Sequence, residues 1–193
     1  GVSLPLGVSQ MHQLFSVVVE YRRGCFAAAS SGARCMSVSS KFEECLVLHI
    51  APPPEGSTRK TSVKMQLEHF GVPEPVDDFD CHVCGTRGGP CVRRQYLARV
   101  GPLLLVQLAI YDVGTGKKLR GARIRADDRV TLRVGGVACD YELVAAIEHV
   151  GSSLKSGHYV CYRRDRDTGC WLLLNDDGRT AVAPMHEFRS LLH

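Results

Sequence analysis

His158 and Asn175 are the residues of this 193-residue chain whose types and spacing can do chemistry together. His158 follows a glycine and opens the run to Arg164; Asn175 ends the run from Trp171 and precedes Asp176 and Asp177. The turn between them centres near Arg166 and Asp167. If the two strands pair symmetrically about it, 163 faces 170 and 158 faces 175, and directly opposed residues have Cβ atoms about 4.5–5.5 Å apart. Asn175 then reaches the His158 ring, whereas a one-residue slip would put the two on opposite faces. A histidine oriented by a carboxamide is half of a thiol-protease site. It takes a cysteine proton and later protonates the leaving amine, while the orienting group fixes the ring's tautomer. On spacing alone the commoner arrangement is an edge-strand histidine and an unrelated turn asparagine.

A second constellation is Cys81-His-Val-Cys84-Gly, the spacing of a zinc knuckle, in which two thiolates hold one edge of a tetrahedral ion. One such pair is half a site. Cys25 and Cys35, in a loop of small residues, are the candidates for the other half, with Cys91 and His82 behind them. Two readings stand: a four-ligand zinc site, or a degraded finger whose cysteines pack as small hydrophobes. Cys45, Cys139, Cys161 and Cys170 fall in strand patterns and read as structural. Nine cysteines, an odd number, with no secretory leader argue for a reducing compartment, cytoplasmic or nuclear, over a disulfide framework.

These residues need elements to position them. Phe15 to Arg22 is β-branched and aromatic and reads as a strand; Gly24 to Arg34 reads as a loop, and Phe42 to Ile50 as a second strand. Ala51 to Gly56 carries consecutive prolines and is a connector. Thr61 to Phe70 has helical apolar spacing, Thr61 or Ser62 as N-cap, and Gly71 and Pro73 past its end, so it predicts a helix. Pro73 to Asp80 reads as an acidic loop. Strands are then expected over 92–100, 103–112 (the apolar run from Leu103 to Ile110 being a buried one), 129–134, 141–150, 158–164, 171–175 and 180–183. A short helix is expected after Pro184. Many turn-punctuated strands with two short helices give an α+β fold on a mostly antiparallel sheet.

The segment Tyr141 to Val182 resembles the histidine box of ubiquitin-specific proteases. The matching positions are His149, Gly151, Gly157, His158, Tyr159, Tyr162, Trp171, Asn175, Asp176 and Val182. The resemblance implies that His158 is the general base, Asn175 the orienting third member and Asp176 an accessory polar residue near the oxyanion. Gly157 and Tyr159 would border the modifier's tail, and His149 matches a structural position. Upstream, Asp80 to Tyr111 is similar to the family's second finger knuckle and the strand pair after it. The implied organisation is one catalytic-core portion over 1–193, with a finger-like region and zinc knuckle over 12–100 and a palm over 101–193.

The family's nucleophile box, roughly Gly-x-x-Asn-x-Gly-Asn-x-Cys, has no counterpart here. Gly24-Cys25-Phe26 is a poor substitute, because Cys25 already sits at the finger position. The abrupt N-terminus reads as that of a fragment whose thumb segment, carrying the nucleophile, lies upstream. The resemblance therefore implies a thiol-dependent deubiquitinase portion acting on ubiquitin or a ubiquitin-like protein. The alternative is an inactive relative that still binds ubiquitin. Nucleic acid is a poor partner: the formal charge is only +4, and Arg22-Arg23, Arg93-Arg94 and Arg163-Arg164 carry no aromatic stacking pattern with them. No run approaches the roughly 18 apolar residues of a membrane span, and no catalytic cofactor is implied.

Overall fold

β-branched and aromatic residues in short alternating runs make strands the dominant element, and among the described residues two short helices interrupt them. The computed structural model describes residues 9–28, 32–50, 61–109, 111, 114–117, 124–153, 155–176 and 178–182. In chain order its elements are α1 (Gln10–Phe15), β1 (Val17–Cys25), β2 (Val38–Cys45), β3 (Leu48–Ile50), β4 (Thr61–Ser62) and α2 (Val63–His69). There follow β5 (Glu74–Phe79), β6 (Gly89–Val100), β7 (Val106–Leu108), β8 (Ile124–Arg125), β9 (Arg129–Val134) and β10 (Val137–Glu142). The last four are β11 (Ala145–Ser153), β12 (Ser156–Arg164), β13 (Trp171–Asn175) and β14 (Gly178–Val182). The fold is α+β, as the sequence predicts. Among the described residues, no helix is long and apolar enough to cross a membrane.

The chain divides into two compact units. The first comprises residues 1–48, 68–106 and 133–139. Its centre is β1, antiparallel to β2 on one side and to β6 on the other. Val17 and Val19 alternate into a core that also takes Leu97. On the other face Glu20, though covered, accepts a paired hydrogen bond from Arg22 at 2.7 and 2.9 Å and a third from Ser40 at 2.8 Å. A bulge between Val18 and Val19 shifts the β1–β6 register, and the Leu97 carbonyl beside it accepts from the Gly135 N–H at 2.9 Å. That contact ties the Gly135-Gly136 turn, both glycines at positive φ, to β6. α1 is capped by Ser9, whose hydroxyl accepts from the His12 N–H, and it ends against Gly101, where an added Cβ would collide with the Leu14 carbonyl.

The second unit comprises residues 49–67, 107–132 and 140–193. Here β11, β12, β13 and β14 form an antiparallel sheet in sequential order. One face of it buries Val160, Tyr162 and Trp171 with Ala126, and Leu143, Ala146 and Leu173 pack against them. The β12–β13 turn is built on Asp165. Its carboxylate accepts from the backbone of Asp167 and Thr168 and from the Thr168 hydroxyl, and Gly169 closes the turn at φ +71. Ser62 caps α2 by accepting from the Met65 N–H at 3.2 Å, and Asp127 accepts from the Lys64 N–H at 2.8 Å.

Several expectations are corrected. Residues 74–79 form a strand on β6, because their acidic side chains suit an open strand edge and Glu74 pairs with Arg93 at 2.6 Å. The apolar run after Leu103 is a strand only over Val106–Leu108, and Leu103 is 40% exposed. Gly101 and Pro102 start that run in a bend, and the Leu103 N–H bonds the end of α1 at Leu14. The strand expected over 42–50 breaks at Leu46-Val47, and that over 141–150 breaks at Leu143-Val144. β1 continues through Gly24 and Cys25, where a loop is expected. The pairing is mostly antiparallel, as expected, with β4–β8 and Leu97–Val134 parallel. The helix expected after Pro184 lies outside the described residues.

Candidate functional site

His158 sits on β12 and Asn175 ends β13, so one hairpin carries both. The pairing of these strands runs Cys161↔Leu174, Tyr162↔Leu173, Arg163↔Leu172 and Arg164↔Trp171. Every pair sums to 335, two more than a turn centred at Arg166-Asp167 predicts, because the turn centres one residue later, between Asp167 and Thr168. The expected facing of 158 with 175 is therefore wrong in register. A shift of two keeps both side chains on one face, however, and Asn175 reaches His158 diagonally. The Nε2···Oδ1 distance is 2.6 Å.

That contact fixes the ring chemistry. A carboxamide oxygen only accepts, so Nε2 carries the hydrogen and the neutral ring keeps its lone pair on Nδ1. The imidazole side chain is 45% exposed. Asp176 follows in the β13–β14 turn at φ +48, a conformation open to aspartate in tight hairpins. Its Oδ2 stands 3.9 Å from Nε2, too far for a hydrogen bond. Asn175 is thus the direct partner and Asp176 a charge close by. Gly157 and Tyr159 flank His158, and Tyr159 is 67% exposed.

Around these residues lie His149, which the resemblance gives as structural, and Tyr111, which sequence reasoning did not single out. His149, on β11, lies opposite Tyr159, with ring centroids 4.8 Å apart. The Tyr111 hydroxyl lies 2.5 Å from His149 Nδ1. Nothing in the sequence spacing links Tyr111 to residue 149; only the fold brings them together.

The cysteines in this unit are not placed beside His158. Cys161 lies an odd number of residues along β12 and points to the opposite face, and Cys170 lies in the turn at the far end of the hairpin.

The thiols expected to bind metal meet in the first unit. The pairs of β1 and β2 sum to 62, and the bridge Ala28↔Arg34 continues that register beyond the strands. Cys25 and Cys35 are then diagonal neighbours across one hairpin, which does the work of a short Cys-x-x-Cys turn. The Cys25 N–H bonds the Ser37 carbonyl at 2.9 Å and the Cys35 N–H bonds the Ala27 carbonyl at 2.8 Å. Cys81 and Cys84 come from a tight turn closed by the Gly85 N–H on the Cys81 carbonyl, with Gly85 at φ +71.

All four sulfurs lie within 4.8 Å of one another, with Cys25–Cys84 at 3.9 Å and Cys35–Cys81 at 3.8 Å. Tetrahedral zinc with thiolate bonds near 2.3 Å places its sulfurs about 3.8 Å apart, so the donor set fits that ion. The Ser37 hydroxyl, 3.2 Å from Cys81 Sγ, leads the effects that bring that thiol down to about 6, followed by backbone N–H donors. Thr86 likewise lowers Cys84. Cys91 lies opposite Cys25 but stays outside the four; its thiol is raised, first by burial. His82 is exposed and is not among the four.

Residues 11–190 match the family described as ubiquitin carboxyl-terminal hydrolase. Ubiquitin carboxyl-terminal hydrolase 24 of Arabidopsis thaliana is 24% identical over 158 residues, covering 78% of this chain and 28% of that protein. Ubiquitin carboxyl-terminal hydrolase 42 of Homo sapiens is 25% identical over 165 residues, covering 82% of this chain and 12% of that protein. The chain thus spans less than a third of either relative. Among solved structures, the yeast SAGA DUB module with a mutant Sgf73 matches with a TM-score of 0.73 at 19% identity, over 93% of this chain and 39% of that one. The SAGA Ubp8/Sgf11/Sus1/Sgf73 DUB module bound to ubiquitin aldehyde matches with a TM-score of 0.71 at 17% identity, over 93% of this chain and 40% of that one.

Proposed function

The chain belongs to the ubiquitin carboxyl-terminal hydrolase family, and from that premise we propose that it supplies the histidine and asparagine of a thiol-dependent deubiquitinase site. The observation that carries this reading is the 2.6 Å contact of His158 Nε2 with Asn175 Oδ1, which leaves Nδ1 as the ring's proton acceptor.

In this reading a cysteine thiol loses its proton to His158 Nδ1 and attacks the carbonyl carbon of the modifier's C-terminal glycine. The imidazolium, held by Asn175, gives that proton to the leaving lysine amine. Water then attacks the thioester, again with His158 as base. Asp176 adds negative charge beside the imidazolium while it exists. The thiol would come from a further segment, since Cys25, Cys35, Cys81 and Cys84 are drawn together elsewhere and Cys161 and Cys170 are misplaced. Gly157 and Tyr159 would line the passage for the modifier's tail.

The finger-like part, 12–100, would grip ubiquitin, and the part over 101–193 would present the catalytic pair. Support for ubiquitin as the partner comes from the family match and from the ubiquitin aldehyde bound in a structure of the same fold. Zinc held by Cys25, Cys35, Cys81 and Cys84 would cross-link the finger, with no part in the chemistry. A cytoplasmic or nuclear location would keep those thiols reduced. The second reading, an inactive ubiquitin binder, draws on the lack of a suitably placed thiol in the His158 unit.

The test is ubiquitin with a thiol-reactive C-terminal warhead, offered to this chain alone and to this chain supplemented with a family segment that carries the cysteine box. Ubiquitin binding by the chain, with an adduct in the supplemented preparation that is lost on His158→Ala, is the expected result. Binding with no adduct in either favours the binder, and no binding in either overturns the ubiquitin reading.

A further inference from the structure

We infer that Tyr111 and His149 are positioning residues, which together hold the backbone at Gly157 from which His158 reaches Asn175. This deepens the reading of His158 as general base and rests on it.

The ladder between β11 and β12 is regular as far as Val150↔His158, then slips before Ser153↔Ser156. The backbone beside the candidate base therefore stands where sheet hydrogen bonds are irregular, and something else must fix it. The His149 ring is in place to do so. A Cβ built at Gly157 would collide with His149 Nε2 and lie 2.5 Å from Cε1, and one built at Gly151 would lie 3.0 Å from Cε1. The imidazole thus lies against both glycines that bracket the slip; at Gly157 it leaves no room for a methyl group, and at Gly151 the Ser156 carbonyl, 2.6 Å from an added Cβ, is the nearer obstacle.

The ring is itself held. Tyr111, from a separate stretch of chain after β7, places its hydroxyl 2.5 Å from His149 Nδ1, and the Tyr159 ring packs against the imidazole. Burial raises the Tyr111 phenol above its ordinary range, so the hydroxyl keeps its proton and can donate to Nδ1. A ring fixed at Nδ1 cannot flip, and its other edge stays on Gly157. Neither residue touches His158 Nδ1 or Nε2, so their role is to restrict where that imidazole can go. This also gives His-x-Gly and Gly-His-Tyr a physical reason: the glycines make room for the first histidine, and the first histidine steadies the second.

The experiment is nitrogen-15 NMR of the histidine rings in this chain, comparing wild type with Tyr111→Phe and His149→Ala. Tyr111→Phe keeps the ring volume and removes the hydroxyl. The expected result is exchange of the His158 Nε2 hydrogen with water faster by about fivefold or more, the factor one ordinary hydrogen bond contributes. The His158 nitrogen shifts should move toward a tautomer mixture, while the amide signals of Val160, Tyr162 and Trp171 keep their wild-type positions. His158 signals unchanged in Tyr111→Phe would overturn the inference, whether or not His149→Ala folds. Failure of the protease reading is seen separately, as absence of a ubiquitin adduct when the wild-type chain is supplemented with a cysteine-box segment, and leaves the ring measurement intact.

Discussion

Asn175 is the diagonal neighbour of His158, not its direct opposite, and its Oδ1 stands 2.6 Å from the ring's Nε2. The diagonal lets the carboxamide meet the far nitrogen and leaves Nδ1 free. The two nitrogens of the imidazole are thus distinct: Nε2 meets Asn175, and Nδ1 is the one the proposed mechanism uses.

If the proposed protease is reconstituted with a cysteine-box segment, Asn175→Ala should lower its kcat/KM on a ubiquitin C-terminal fluorogenic amide by about 10²-fold or more, because it misorients the general base His158, whose own contribution is of that range. Asp176→Asn should cost less than tenfold, because at 3.9 Å it adds charge without a hydrogen bond. Equal losses from the two variants would remove the distinction between orienting residue and accessory charge.

Zinc should bind this chain at one ion per molecule and be lost in Cys35→Ser and Cys84→Ser. At free zinc about 1,000 times the dissociation constant, binding stabilises the folded chain by about 4 kcal/mol, or roughly 8–16 °C in melting temperature. A strong chelator should reverse that rise. The same exchange in Cys91→Ser should leave zinc content unchanged, since Cys91 lies outside the four thiols. Zinc loss in Cys91→Ser would mean that the ligand set is misassigned.

The two hairpins that carry the candidate sites were legible to different depths. Glycine, histidine and asparagine types around 157–175 pointed to the pair, and even an error of two in register left the face correct, because side chains alternate with period two. The four thiols could be named from residue type, but a nine-residue gap between Cys25 and Cys35 says nothing of geometry until the strand register is known. Tyr111 could not be seen at all, because its partner lies 38 positions along the chain. α1 was hidden for a different reason: its six residues bury no side chain, so no apolar stripe marks it. Residues 74–79 were misread because acidic residues suggest a loop, while here they serve an open strand edge.

Glu20 offers a test by pH. Its carboxyl is held below the ordinary glutamate range, first by the Arg22 hydrogen bond, with Ser40 adding to it against the opposing effect of burial. A group whose folded value is depressed adds stability above its unfolded value and loses it as pH falls through the folded one. Glu20→Gln should therefore lower the urea midpoint at pH 7, and the gap to wild type should shrink below about pH 4. Glu43→Gln, which breaks the exposed Lys41 pair, should shift the midpoint little at either pH. A gap for Glu20→Gln that widens in acid would contradict the sign of the shift.

Gly157 and Gly136 separate crowding from backbone strain. Gly136 has φ +90 and nothing within 4 Å of an added Cβ, so Gly136→Ala should cost about 1–2 kcal/mol through conformation alone. Gly157 has no such φ, yet its Cβ would collide with His149 Nε2 and meet the Val150 carbonyl at 2.9 Å. Gly157→Ala should cost about 1–3 kcal/mol by overpacking, and it should also displace the His158 ring signals, which Gly136→Ala should not. Adding His149→Ala should return part of the loss at position 157 and none at 136, giving a coupling of about 0.5–3 kcal/mol for the first pair only. The relief should be incomplete, because the Val150 carbonyl stays in place. Strict additivity of Gly157→Ala with His149→Ala would show that the imidazole is not what excludes a side chain there.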